Sequence, residues 1–136
     1  MTFRQGDTIA APATRPGVGA LAIIRVSGPA SWDIAGVVFK SGTPGKPRTA
    51  RVGDIVTAEG EVIDRGVLIL WKRPASYTGE DMAEITVHAG AAVVNATLET
   101  LYAAGARPAA PGEFTWRAVY NGKLDLTAAA GRAPAA

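Results

Sequence analysis

Asp81-Met82-Ala83-Glu84-Ile85-Thr86-Val87-His88 and the following Ala92 to Ala104 change hydrophobic period within a short span. In the first run Ala83, Ile85 and Val87 share one face, and Met82, Glu84, Thr86 and His88 the other, which is the period of a strand. In the second, Val94, Leu98 and Leu101 recur at i, i+4 and i+7, the stripe of an amphipathic helix, and Gly105 marks its stop. Working back along the chain, Val67-Leu68-Ile69-Leu70-Trp71 within Gly66 to Lys72 is apolar on both faces and predicts a central strand. Arg51 to Ala58 reads as another strand, turned by Glu59-Gly60-Glu61. Ala20-Leu21-Ala22-Ile23-Ile24-Arg25-Val26 is a β-branched run bounded by glycines, again a strand. Gly28-Pro29 then places proline at the first position of a helix running to Val38. Glu113 to Tyr120 predicts a short helix with Glu113 and Arg117 in the favoured i, i+4 order and Gly122 as its stop. Strands and helices neither alternate strictly nor segregate. The expectation is an α+β fold, a mixed sheet with flanking helices.

Composition narrows the chemistry. The 136 residues suit one domain with its own core, built mostly of Val, Ile, Leu and Ala, because 27 residues are alanine and only nine are aromatic. Fourteen basic residues nearly cancel twelve acidic ones, leaving a net charge of +2, too little to mark a nucleic-acid footprint. The absence of cysteine excludes disulfides, thiolate-held metals and thiol nucleophiles, and a single histidine, His88, excludes a multi-histidine metal site. No apolar run reaches the length of a membrane span and Met1-Thr2-Phe3-Arg4-Gln5-Gly6-Asp7 lacks a signal peptide's apolar core, so a cytoplasmic domain is expected. Thr127 to Ala136 carries six alanines, Gly131 and Pro134 but no large apolar residue. It is expected to fray.

Two glycine motifs fail on context. Gly17-Val18-Gly19-Ala20-Leu21-Ala22 fits a dinucleotide fingerprint, but a strand follows it where a helix N-terminus is needed to hold the pyrophosphate. Gly42-Thr43-Pro44-Gly45-Lys46-Pro47 lacks phosphate-loop spacing and puts proline where the magnesium-binding hydroxyl belongs, so no nucleotide is expected to bind. Arg25 shares a strand face with Leu21 and Ile23. It either runs out to water from an edge position or clamps a carboxylate or carbonyl. Glu84 is either one residue of a solvated strand face or a carboxylate aimed into a pocket, where it accepts paired N–H groups from a heterocycle. His88 has no partners at catalytic spacing and receives no catalytic role. Pro74-Ala75-Ser76-Tyr77-Thr78-Gly79-Glu80-Asp81 reads as a plain turn or a ligand lid.

Four blocks, together spanning about residues 7 to 126, resemble one family. Asp7-Thr8-Ile9-Ala10-Ala11-Pro12-Ala13-Thr14-Arg15-Pro16-Gly17, with Ile23-Ile24-Arg25-Val26-Ser27-Gly28-Pro29, is similar to the opening of the MnmE/TrmE tRNA-modification GTPases. Ser76-Tyr77-Thr78-Gly79-Glu80-Asp81, then Pro111-Gly112-Glu113-Phe114-Thr115 and Asn121-Gly122-Lys123-Leu124-Asp125-Leu126, follow in the same order and at the same distances. The sequence departs from the family at Trp116, where a basic residue is usual, and at Ala89, where a glycine is usual.

The resemblance implies a fold like the tetrahydrofolate-binding domain of aminomethyltransferases, a homodimer contact, and a bound tetrahydrofolate derivative in its 5-formyl or 5,10-methylene form. It carries folate contacts onto Arg25, Glu84 and Lys123; the residues themselves offer no plausible catalyst and no metal site. It also implies a flavoprotein partner of the MnmG/GidA type, and tRNA as substrate of the complex, modified at C5 of the wobble uridine. Family members continue into a helical domain with an inserted GTPase. Residues 1–126 are therefore expected to form the N-terminal folate-binding and dimerisation domain, and 127–136 the start of a region missing here. Two rivals stay open: a stand-alone folate-dependent one-carbon transferase, and a non-binding dimerisation remnant.

Overall fold

The computed structural model describes residues 3–15, 19–41 and 45–125. The expected tail, the glycine turn at 16–18 and the middle of the glycine and proline loop at 42–44 lie outside the described residues. Seven strands are β1 (Ile9–Pro12), β2 (Leu21–Ser27), β3 (Phe39–Lys40), β4 (Arg51–Val56), β5 (Val62–Trp71), β6 (Met82–His88) and β7 (Arg107–Pro108). Three helices are α1 (Ser31–Val38), α2 (Ala91–Ala103) and α3 (Glu113–Tyr120). One sheet holds all seven strands in the order β3-β4-β5-β6-β2-β1-β7, antiparallel except for the β1–β7 pair. The α+β expectation with a mixed sheet holds.

Period-two alternation sorts the sheet's residues between two faces. Ala10, Ala22, Ile24, Val26, Leu68, Leu70, Ala83, Ile85 and Val87 are buried on one face, packed with Ile34, Ala35 and Val38 of α1 and Leu98 and Leu101 of α2. On the other face, Ile9 and Ala11 pack with Phe114 of α3, and Tyr77 and Ala109 lie against them. Further along that face runs a row in register across four strands, Ile23, Thr86, Val67 and Val52. No described helix covers this row, and at its end Val52 is 58% exposed.

Three expectations need correcting. Pro29 does not open α1: Gly28 to Ser31 forms a turn, closed by Ser31 N–H on the Gly28 carbonyl at 3.1 Å, and the helix starts at Ser31. A hydroxyl of another segment takes the place of a local cap, since Thr8 Oγ1 accepts Ala30 N–H at 3.0 Å. The strand from Arg51 ends at Val56 rather than Ala58, with a register shift between Ile55 and Val56, whereas β5 begins four residues earlier than expected. Strands β1, β3 and β7 are too short to show a period. Helix α2 lies one residue earlier at each end than expected, while the Gly105 stop (φ +120°) and the α3 helix match the reading.

Candidate functional site

Arg25 and Glu84 face one another because β2 pairs with β6 in the register Arg25 to Glu84. Strand β2 lies inside the sheet, between β1 and β6, so Arg25 has no edge from which to reach water. Its Nε and Nη2 donate to Glu84 Oε2 at 3.3 and 3.1 Å, with the two side chains only 17% and 21% exposed. The free strand carboxylate and the outward-running arginine are both ruled out. Directly beyond Glu84 on β5 is Ile69, and two residues along is Trp71. A diagonal neighbour on the same face lies within reach of a long side chain. Trp71 Nε1 accordingly donates to Glu84 Oε1 at 2.8 Å. The carboxylate is thus held at both oxygens by the protein itself.

The guanidinium of Arg25 also lies over two aromatic rings, 4.8 Å from the Tyr77 ring centroid and 5.5 Å from that of Phe114. Such cation–π contacts add attraction to the charge pair. Tyr77 belongs to the 74–81 loop, and Tyr77 OH bonds Thr115 Oγ1 of α3 at 2.9 Å. Trp71, Ala75, Ser76, Tyr77, Met82 and Glu84 line a cavity of about 310 Å³. It has aromatic walls, one carboxylate and two hydroxyls, those of Ser76 and Tyr77.

Beneath the loop lies an ion network that the i, i+4 spacing of Glu113 and Arg117 does not announce. Both side chains are buried, Arg117 completely. Arg117 Nη1 donates to Glu80 Oε1 at 3.0 Å and to the Asp7 carbonyl at 2.8 Å. Its Nη2 donates to Asp7 Oδ1 at 2.5 Å and to the Arg4 carbonyl at 2.9 Å. Arg107 bridges Asp7 Oδ2 and Glu113 Oε2, both at 2.7 Å. Glu80 Oε1 also accepts from Ser27 Oγ at 2.7 Å, so the network reaches the end of β2. Hydrogen bonds from Arg107, then from Arg117 and Arg4, hold the Asp7 carboxyl far below the usual carboxylate range against the opposing effect of burial. At Glu113 burial acts upward, but Arg107, the Ala110 N–H and Arg117 outweigh it and the shift is downward. Glycines allow the close approach: a Cβ on Gly28 (φ +137°) would lie 2.6 Å from the Asp7 carbonyl oxygen, and one on Gly79 (φ +82°) 2.8 Å from Asn121 Cβ.

Lys123 stands apart. It is exposed, its stem lies beside Gly79, and Arg25 and Glu84 are bonded to each other rather than to it. The structure therefore joins two of the three expected site residues and adds Trp71, Tyr77 and Phe114. Tyr77 belongs to the loop whose sequence reads as a turn or a ligand lid, whereas Trp71 reads only as one residue of an apolar central strand. Its role depends on strand register, which carries no local signal. His88 pairs with Asp64, ring Nδ1 to carboxylate at 3.0 Å. Trp116 makes tilted ring contacts with Phe3 and Tyr120, at centroid distances of 5.6 and 5.3 Å. Among the described residues no acidic, histidine or cysteine cluster could hold a metal, and no helix is long and apolar enough to cross a membrane.

Comparison with known proteins agrees over the same span. A family model described as GTP-binding protein TrmE N-terminus matches residues 8–123. The tRNA modification GTPase MnmE of Chloroflexus aurantiacus is 51% identical over 125 residues, 90% of this chain and 28% of the relative. That of Thermotoga maritima is 50% identical over 123 residues (90% and 27%), and that of Saccharophagus degradans 45% over 129 (95% and 28%). The chain spans just over a quarter of the length of these curated relatives.

Proposed function

Because the chain belongs to the family of TrmE N-terminal domains, we propose that it binds a tetrahydrofolate derivative on behalf of a tRNA-modifying GTPase and pairs with a second copy of itself. The observation that carries this reading is Glu84: a carboxylate held by Arg25 at the wall of an aromatic-lined cavity. A folate's pterin edge presents amino and ring N–H groups, and a carboxylate between aromatic walls suits such an edge. The donor set fits the group. Glu84 would take the pterin edge, while Arg25 and Lys123 supply cations for its carbonyl or for the carboxylates of its glutamyl tail. Exposed Lys123 suits the tail, which stays in water. When bound, the folate supplies a one-carbon unit, in the 5-formyl or 5,10-methylene form. The domain's own residues bind and orient it, and none of them is assigned a proton transfer.

The uncovered row Ile23, Thr86, Val67 and Val52 supports self-association, since a second copy would remove this apolar strip from water. Wobble-uridine modification, the MnmG/GidA-type flavoprotein partner, tRNA contact and a cytoplasmic location belong to the whole protein and are proposed with it. Calorimetric titration of the purified chain with 5-formyltetrahydrofolate tests the reading. Saturable binding is expected, and a flat titration at millimolar ligand overturns it.

A further inference from the structure

Glu84 is more fully occupied than a waiting ligand group needs to be. A carboxylate offers about four lone-pair directions. Arg25 Nε and Nη2 share Oε2, and Trp71 Nε1 takes one direction on Oε1. One direction on Oε1 is left, so a ligand presenting two adjacent N–H donors can gain both bonds only if an existing bond yields. The three differ in length. The Arg25 Nε bond is the longest at 3.3 Å, and Arg25 keeps its Nη2 bond at 3.1 Å and its contacts with Tyr77 and Phe114 if Nε lets go. The Trp71 bond is the shortest at 2.8 Å, and the Trp71 ring is itself part of the cavity wall.

We propose that Trp71 is a positioning residue of this site: its indole N–H stays on Glu84 Oε1 and sets the plane of the carboxylate before and after the ligand arrives. The inference rests on the folate reading and names a residue within it. Without that bond the carboxylate turns about its terminal torsion, which is a soft one, and the ligand must order it on binding. Trp71 therefore acts on the ligand through Glu84.

The test is a double-mutant cycle read by calorimetric titration with 5-formyltetrahydrofolate, together with the Trp71 indole N–H resonance. Trp71→Phe keeps an aromatic wall and removes the donor. It is expected to weaken binding roughly 3- to 10-fold in the parent and less than about 2-fold in a Glu84→Ala background, because there no side-chain oxygen is left for the indole N–H to hold. On titration of the parent, the indole resonance, assigned by its loss in Trp71→Phe, is expected to keep its hydrogen-bonded downfield position. Equal losses in both backgrounds, tighter binding by Trp71→Phe, or an upfield jump of the indole resonance on saturation overturns the role of Trp71 and leaves the folate reading standing. A parent chain that does not bind the probe removes the folate reading and this inference with it.

Discussion

Replacing Arg117 by methionine isolates what the buried network contributes. Methionine keeps the apolar stem and deletes the guanidinium, so the loss is mainly electrostatic, with a small void where the buried guanidinium lay. Removing one partner from a fully buried pair costs about 3–5 kcal/mol, because the remaining charges are left uncompensated. Arg117 is buried completely, but its partners Asp7 and Glu80 are 29% and 15% exposed, and water can solvate part of what is left. The lower end of the range, about 3 kcal/mol, is therefore expected. For a chain of 136 residues the unfolding entropy near 60 °C is about 0.3 kcal/mol/K, which converts that cost into a fall in Tm of about 10 °C. Circular dichroism melts of parent and Arg117→Met at pH 7 measure it. Arg117→Lys should recover part of the loss, since it restores the charge without the planar fork that reaches Glu80 and Asp7 together. A melting point within about 2 °C of the parent would refute the reasoning: the network would then be replaceable by apolar packing, as some buried ion pairs are.

Acid should destabilise the fold. Asp7, Glu113 and Asp64 have folded pKa values below their unfolded ones, so in acid the unfolded chain binds more protons. Their contribution is complete above about pH 5 and is lost as pH falls below 4 toward their depressed folded values. Melts between pH 7 and pH 2 should show Tm falling mainly in this window, and a Tm constant to pH 2 contradicts the assignment. Glu84→Gln should weaken 5-formyltetrahydrofolate by roughly 30- to 1,000-fold, through loss of a charge-assisted contact and an amide donor facing the ligand's N–H groups. It should also lower Tm by a few degrees because Arg25 loses its partner; unchanged calorimetric affinity removes Glu84 from the site. Sedimentation equilibrium should give a mass twice that of the 14.0 kDa chain, and Val67→Glu, in the middle of the uncovered row, should return it to monomer. A single 14 kDa species for the parent across a dilution series counts against self-association.

The long elements were legible because their signals are local. Alternation over Asp81 to His88, the i, i+4, i+7 stripe of α2 and the glycines after α2 and α3 report on neighbours in sequence. Backbone geometry converts that spacing directly into a face. The same alternation put Glu84 and Arg25 each on a definite strand face, and the family resemblance singled them out. What those two residues do depends on pairing. Arg25 meets Glu84, and Trp71 reaches it diagonally, only because β2, β6 and β5 are neighbours in one register. A shift of one residue would turn Arg25 into the helix-covered core. Glu113 and Arg117 show the same limit. Their i, i+4 spacing fits a solvated helix surface, and what buries them is the approach of Asp7, Glu80 and Arg107 from distant parts of the chain. Spacing along the chain sets which residues share a face. Burial and partner choice are set by what packs onto that face, a balance of desolvation against long-range pairing that no local pattern encodes.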